Sequence, residues 1–276
     1  MRNLLKYLLP VGLLAYIYYP TFVWMIDRWA APDYYYAHGC LIPFISLYWI
    51  FKKGEALALC KTKNEPLGLA ILIVGVLIQI ASSILRIYFA SAVALVLIIF
   101  GAVYFLFGKE VTKTLWFPIA FLLLMVPLPL LFISEVTLRM KFLVSEIAVS
   151  LLHSAGVRAL REGSYIYTSH AVCVVGDPCS GLRSFLAFLC LGLVFAYGRR
   201  LVLWKKFVLV AAGLPLAIVT NVGRVFVMTL AGEIYGMDFA ANHTVHDGTG
   251  ILTFIFALFC FMVMRQKLEG VHAQAR

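Results

Sequence analysis

The sequence predicts an all-α polytopic membrane protein: about eight transmembrane helices with an extracytoplasmic amphipathic helix and a short β-hairpin. Three observations carry this. Apolar residues make up 63% of the 276-residue chain, and the mean hydropathy is +0.96, whereas soluble domains are roughly half apolar. Several runs exceed the roughly 18 apolar residues that a bilayer crossing requires. Finally, 15 of the 23 Lys and Arg fall in loops of one parity: Arg2 and Lys6; Lys52, Lys53, Lys61 and Lys63; Lys109 and Lys113; Arg199, Arg200, Lys205 and Lys206; Arg265, Lys267 and Arg276. That is the positive-inside pattern, and it assigns those loops to the cytoplasm.

The spans fall at about 4–22, 38–51, 67–84, 87–107, 115–133, 180–198, 207–229 and 247–264 on hydropathy and length. The first is too long for a signal-peptide core and lacks a small-residue cleavage site, so it is expected to be retained. The second is short, and Arg86 makes the turn between the third and fourth tight. With the N-terminus inside, eight crossings return the C-terminus inside, and every Lys-rich loop lands on one side. Residues 1–276 then form a single integral membrane domain with little left for a soluble one. Tyr34-Tyr35-Tyr36 reads as interfacial aromatic belt.

This topology makes 134–178 the one long extracytoplasmic segment. Its first part, 134–155, mixes Val136, Phe142, Leu143, Ile147 and Leu151 with Arg139, Lys141 and Glu146, an amphipathic helix on the outer surface or against the bundle. Tyr165–Thr168 and Ala171–Val175 then alternate about Ser169-His170 as two short strands and a hairpin. The hairpin delivers the chain to Gly176-Asp177-Pro178 and the sixth span.

The net charge of +10 is scattered along the chain rather than gathered in a patch, which argues against nucleic acid as a partner. The bilayer is the expected partner. None of the six cysteines forms a CxxC pair. Cys190 and Cys260 read as small buried hydrophobes inside spans. Only Cys173 and Cys179 share an outer segment and have the option of a disulfide.

Three chemically capable groups fall near the outer ends of successive spans. Cys179 opens the sixth, Arg224 lies within the seventh, and His246 precedes the eighth. A thiol attacks an amide only as thiolate, and a helix N-terminus with Arg183 four residues on would favour that anion. His246 is the candidate general acid and base. Arg224 is the candidate for stabilising an oxyanion or clamping a carboxylate. An arginine inside a span costs roughly 2.5–3.5 kcal/mol on insertion scales, so it marks a site by default unless it snorkels to the interface. Asp247, Asn221 and Asn242 are each candidates to orient the imidazole. Asp177 and Ser180 read as helix caps, with Pro178 as a helix-start residue.

The donor set His243, His246, Asp247 and Cys179 also has metal-ligand chemistry. There is no His-Glu-x-x-His, however, and the loop lacks a glutamate base, so neither metal nor other cofactor is expected. A reading from a different class remains: a multi-span transporter or lipid-linked transferase that uses Arg224 and His246 as substrate ligands and has no need of Cys179.

At these residues the chain resembles the exosortase/archaeosortase family of membrane-embedded cysteine transpeptidases. The matching boxes are Cys179-Ser180-Gly181-Leu182-Arg183, Asn221-Val222-Gly223-Arg224 and His246-x-x-x-Gly250. Tyr36-Ala37-His38-Gly39 with Ile42-Pro43, Pro127-x-Pro129 and Arg161-Glu162-Gly163 match as well. The resemblance covers about 30–265 and implies a catalytic trio of Cys179, Arg224 and His246, with His rather than a second Arg marking the bacterial branch. Ser180, Arg183, Asn221 and Asp247 would support substrate or trio. It further implies a bacterial cytoplasmic (inner) membrane location with an extracytoplasmic active site. The substrates would be exported proteins, often in exopolysaccharide-making organisms. They would carry a C-terminal tripartite signal: a short motif such as Pro-Glu-Pro, one transmembrane helix and a basic tail. Cleavage would pass through a Cys thioester, with the acceptor nucleophile left open. Ala37 stands where Ser is common, and Gly176-Asp177-Pro178 where Ala or Glu often precedes the Cys.

Overall fold

The computed structural model describes residues 2–31, 35–177, 180–198, 201–236 and 243–270, with side chains from residue 12 onward except at 243–247 and 269–270. The chain divides into two compact units, residues 1–129 and 130–276. Among the described residues, four stretches are long and apolar enough to cross a membrane: Pro66–Leu85, Tyr88–Met125, Leu203–Tyr235 and Gly248–Leu268. The protein is therefore a helical membrane protein.

The first unit comprises α1 (Arg2–Trp29), a 3-10 turn (Ala37–Leu41), α2 (Ile42–Lys52), α3 (Gly54–Ala58), α4 (Pro66–Leu85) and α5 (Tyr88–Phe121). Arg86 takes a left-handed conformation (φ 54°) and turns α4 back into α5, with the Ile87 N–H donating to the Ser82 carbonyl at 2.9 Å. The tight turn expected there is present. Lipid tails are as apolar as leucine, so these helices associate by close packing rather than by the hydrophobic effect. A Cβ on Gly101 would lie 2.7 Å from the Leu72 backbone nitrogen; the pair therefore meets backbone to backbone. Polar side chains add to the contact. Thr21 Oγ1 lies 2.6 Å from Ser91 Oγ, Ser91 donates to Gln79 Oε1 at 2.7 Å, and Gln79 Nε2 donates to Ser83 at 3.1 Å.

Helix α5 runs through the expected fourth and fifth spans, broken at Gly108 (φ 83°, ψ −173°). The two lysine-rich loops of this unit meet at that break. Lys63 N–H donates to the Phe107 carbonyl, Lys61 N–H to Glu110 at 2.9 Å, and Lys53 Nζ to the Thr114 carbonyl at 2.8 Å. Loops given one side by their charge thus lie together in space.

Two expectations in this unit are corrected. The fifth span does not run to residue 133: after Phe121 a 3-10 turn (Leu122–Met125) leads into Val126-Pro127-Leu128-Pro129, and helix resumes only at Leu130. Two prolines remove backbone donors and push the residues before them out of the helical region. Nor are Tyr35 and Tyr36 an interfacial belt. Both are buried, and the Tyr36 hydroxyl accepts the Leu128 N–H at 3.0 Å. That bond joins the Tyr36–Gly39 box to the Pro127-x-Pro129 box, while the Trp29 indole donates to the Met125 carbonyl at 2.8 Å and packs on Gly39.

The second unit begins with α6 (Leu130–Ser154), followed by β1 (Ala159–Glu162), β2 (Tyr165–Thr168) and β3 (Val172–Val174). Helices α7 (Leu182–Tyr197), α8 (Leu203–Ala211), α9 (Gly213–Tyr235) and α10 (His243–Gly270) complete it. The amphipathic helix packs against the bundle. Val144, Ala148 and Leu152 of α6 share a core with Ile166, Val175, and Val222 and Val225 of α9. The sheet has three antiparallel strands in the order β1-β2-β3, one more than the hairpin expected. The added strand pairs Glu162 with Tyr165 across Gly163-Ser164, a two-residue turn with Gly163 at φ 64°.

Helices α7, α9 and α10 interlock through Phe188, Ala217 and Ala257, with Phe188 stacked on Phe254 at 5.4 Å. At the basic end, buried Lys205 donates to the Leu268 carbonyl at 2.7 Å, satisfying a helix C-terminus as basic side chains do. Arg265 lies 4.6 Å over the Phe195 ring.

Candidate active site

The centre of the second unit is one stripe of α9. Asn221, Arg224 and Met228 follow one another at helical spacing and are all buried. The neighbouring stripe, Val222 and Val225, is fixed by α6 and the sheet. The polar stripe is therefore held in place by the packing beside it.

Each of the three boxes picked out from the sequence contributes to this stripe. Gly181, just before α7, has φ 88°, where any side chain is strained. A Cβ there would stand 2.8 Å from Asn221 Nδ2 and 3.3 Å from Met140 Cε. Conformation and contact both require glycine. On the other flank, a Cβ on Gly250 of α10 would lie 3.3 Å from Arg224 Cζ and Nη2. One turn further along α9, the Thr249 hydroxyl points to Met228 Sδ at 3.5 Å. Arg224 is only 8% exposed, so it does not snorkel to the surface. It sits within the helix packing, where a charge is retained at a cost.

Ser180 is fully buried, and its hydroxyl donates to the Asp177 carbonyl at 2.9 Å while accepting weakly from the Leu182 N–H at 3.4 Å. Asp177 is not a helix cap. Its carboxylate pairs with Lys141 of α6 at 2.5 Å, because α7 begins only at Leu182. The expected relation of Arg183 to Cys179 involves a residue outside the described ones. Arg183 is the second residue of α7 and half-buried.

Cys179, Pro178 and Asn242 lie outside the described residues. His246 and Asp247 belong to the first turns of α10, with their side chains outside the description. Chain geometry still bounds their reach: one residue, Ser180, separates Cys179 from Gly181, at most about 7 Å of chain from one Cα to the other. His246 is one helical turn, about 6 Å of rise, from Gly250.

Two features escaped the reading of the sequence. One is Lys141, which the sequence places among the polar residues of an amphipathic helix. The other is Glu233 near the end of α9, which receives the His170 N–H at 2.9 Å and lies 3.0 Å from the His170 ring. This carboxylate ties the β2–β3 turn to the helix that carries Arg224. An acidic residue near the end of an apolar run was the only signal available for it.

A buried guanidinium and amide on one transmembrane helix, flanked by two glycine contacts from neighbouring helices, make a candidate site inside a helical membrane protein. The family model for transmembrane exosortases of the EpsH type matches residues 5–263, and the chain belongs to that family. No curated protein and no solved structure matches it.

Proposed function

We propose that the protein is a membrane-embedded cysteine transpeptidase that cleaves C-terminal tripartite sorting signals of exported proteins at the outer face of the bacterial inner membrane. The observation that carries this reading is the pair of contacts on α9. Gly181 packs on Asn221 and Gly250 on Arg224, so the Cys, Arg and His boxes adjoin one helix.

Cys179 acts as thiolate and attacks the scissile carbonyl carbon, forming a C–S bond and a tetrahedral oxyanion beside Arg224. Collapse breaks the C–N bond. His246, holding the thiol proton, gives it to the departing amine, leaving an acyl thioester. An incoming amine or water then loses its proton to His246, attacks the thioester and expels the thiolate. Asp247 orients the imidazole, and Ser180 and Arg183 support the cysteine segment. The whole of 1–276 acts as one catalytic domain of eight spans with both termini in the cytoplasm. The meeting of the basic loops within each unit supports that sidedness. The transporter alternative finds no favouring observation.

The test is coexpression of a tagged protein bearing a tripartite signal with wild type or Cys179→Ala, and mass spectrometry of the new C-terminus. Cleavage by wild type alone is expected. Cleavage that persists in Cys179→Ala overturns the reading.

A further inference from the structure

We infer that Asn221 is a second oxyanion donor, acting beside Arg224 on the tetrahedral intermediate; this rests on the reading of Cys179 as nucleophile. Asn221 is 4% exposed and donates Nδ2 to the Ala217 carbonyl at 2.8 Å. That bond fixes which end of the amide is nitrogen, since the amide oxygen has no proton to give a carbonyl. An Asn amide nitrogen carries two protons, and this bond uses one. No second bond is made to a described residue. Nδ2 is also the atom nearest the Cβ site of Gly181, so the amide nitrogen faces the segment that follows Cys179.

The neighbours on the same helix sharpen the point. Thr220 and Thr229 satisfy themselves by donating to the Leu216 and Val225 carbonyls, each at 2.8 Å. A threonine or serine at 221 would do the same with no donor left over. Asparagine instead keeps a buried N–H in reserve, which costs stability unless something needs it. The group that needs it is one whose charge appears only during reaction. A carbonyl oxygen on the substrate, turning anionic as the thiol adds, fits the chemistry of a fixed, largely dry donor. Arg224 stands one turn away, so the oxygen would receive one neutral and one charged donor.

The experiment uses full-length enzyme in membranes, with single-turnover processing of a tripartite-signal substrate as one readout. Alkylation of Cys179 by iodoacetamide, read at its own peptide, is the other. Asn221→Ser and Asn221→Thr both keep a hydroxyl for the Ala217 carbonyl and delete the spare donor, together with the amide oxygen. Either is expected to slow processing by about 100–1000-fold, the loss typical of one oxyanion donor. Alkylation should stay within about threefold of wild type, because thiol reactivity follows thiolate character and access rather than oxyanion stabilisation. Processing within about threefold of wild type in both variants overturns the inference; so does alkylation that falls in step with processing, since that marks a structural role. Failure of the underlying cysteine reading is separately visible as cleavage by Cys179→Ala.

Discussion

The guanidinium of Arg224 lies against Gly250, with Cζ and Nη2 each 3.3 Å from the point a Cβ would occupy and Nη1 at 3.5 Å. Gly250 is thus the floor on which the arginine rests. It lets α10 approach α9 closely enough to hold a buried cation between them.

Gly250→Ala should therefore be tolerated with a modest loss, because the guanidinium needs to yield only a few tenths of an ångström. Gly250→Leu has no such freedom and must displace Arg224. A displacement near 1 Å costs on the order of 100-fold in rate. Processing assays on the pair, with membrane expression as control, check this. Equal activity of the leucine variant and wild type would show that Arg224 does not work from this position.

The ion pair between Lys141 and Asp177 joins α6 to the segment entering Cys179. Asp177 is 59% exposed and Lys141 19%, so solvent screening limits its worth to about 0–1 kcal/mol. Loss of the pair should leave thermal stability within about 4 °C of wild type. Its effect belongs to positioning. Lys141→Met and Asp177→Asn are expected to slow processing several-fold, roughly as a contact worth up to 1 kcal/mol would. The charge-reversed double variant Lys141→Asp, Asp177→Lys should recover most of that loss. A swap no better than either single change would rule out the pairing.

Much of the fold was legible because a membrane leaves few choices. Hydropathy and loop charge are long-range signals that survive errors of several residues, and within each unit basic segments given the same side lie against one another. What the sequence hid depended on local contacts. Gly163-Ser164 turns the chain back on itself, yet Arg161 and Glu162 obscured the alternation of β1. Pro127-x-Pro129 stands out as a motif, yet the apolar run continues past it and masks the helix end. Tyr36 has the chemistry of an interface residue, and only the three-dimensional structure reveals that its hydroxyl takes the Leu128 N–H. At the candidate site, Arg224 announced itself by its cost inside an apolar run. The roles of Gly181 and Gly250 were not visible, since a glycine's meaning lies in what touches it.

The polar chain through α1, α4 and α5 yields a test of helix association. Ser91 has one proton, donated to Gln79 Oε1 at 2.7 Å, so the Thr21 hydroxyl must be the donor in their 2.6 Å contact. The direction is fixed as Thr21 to Ser91 to Gln79, and Gln79 Nε2 then donates to Ser83. Ser91→Ala removes the hub and leaves both Gln79 Oε1 and Thr21 Oγ1 without this partner. Stranding buried polar groups costs about 1–3 kcal/mol, although interhelical hydrogen bonds in membranes average nearer 0.6 kcal/mol. A loss of about 1–2 kcal/mol is expected in a denaturation series in detergent micelles. Adding Thr21→Val and Gln79→Leu to Ser91→Ala should restore part of it, because exchanging all partners for apolar groups of similar shape is nearly neutral. A Ser91→Ala protein as stable as wild type would mean that shape alone holds these helices together.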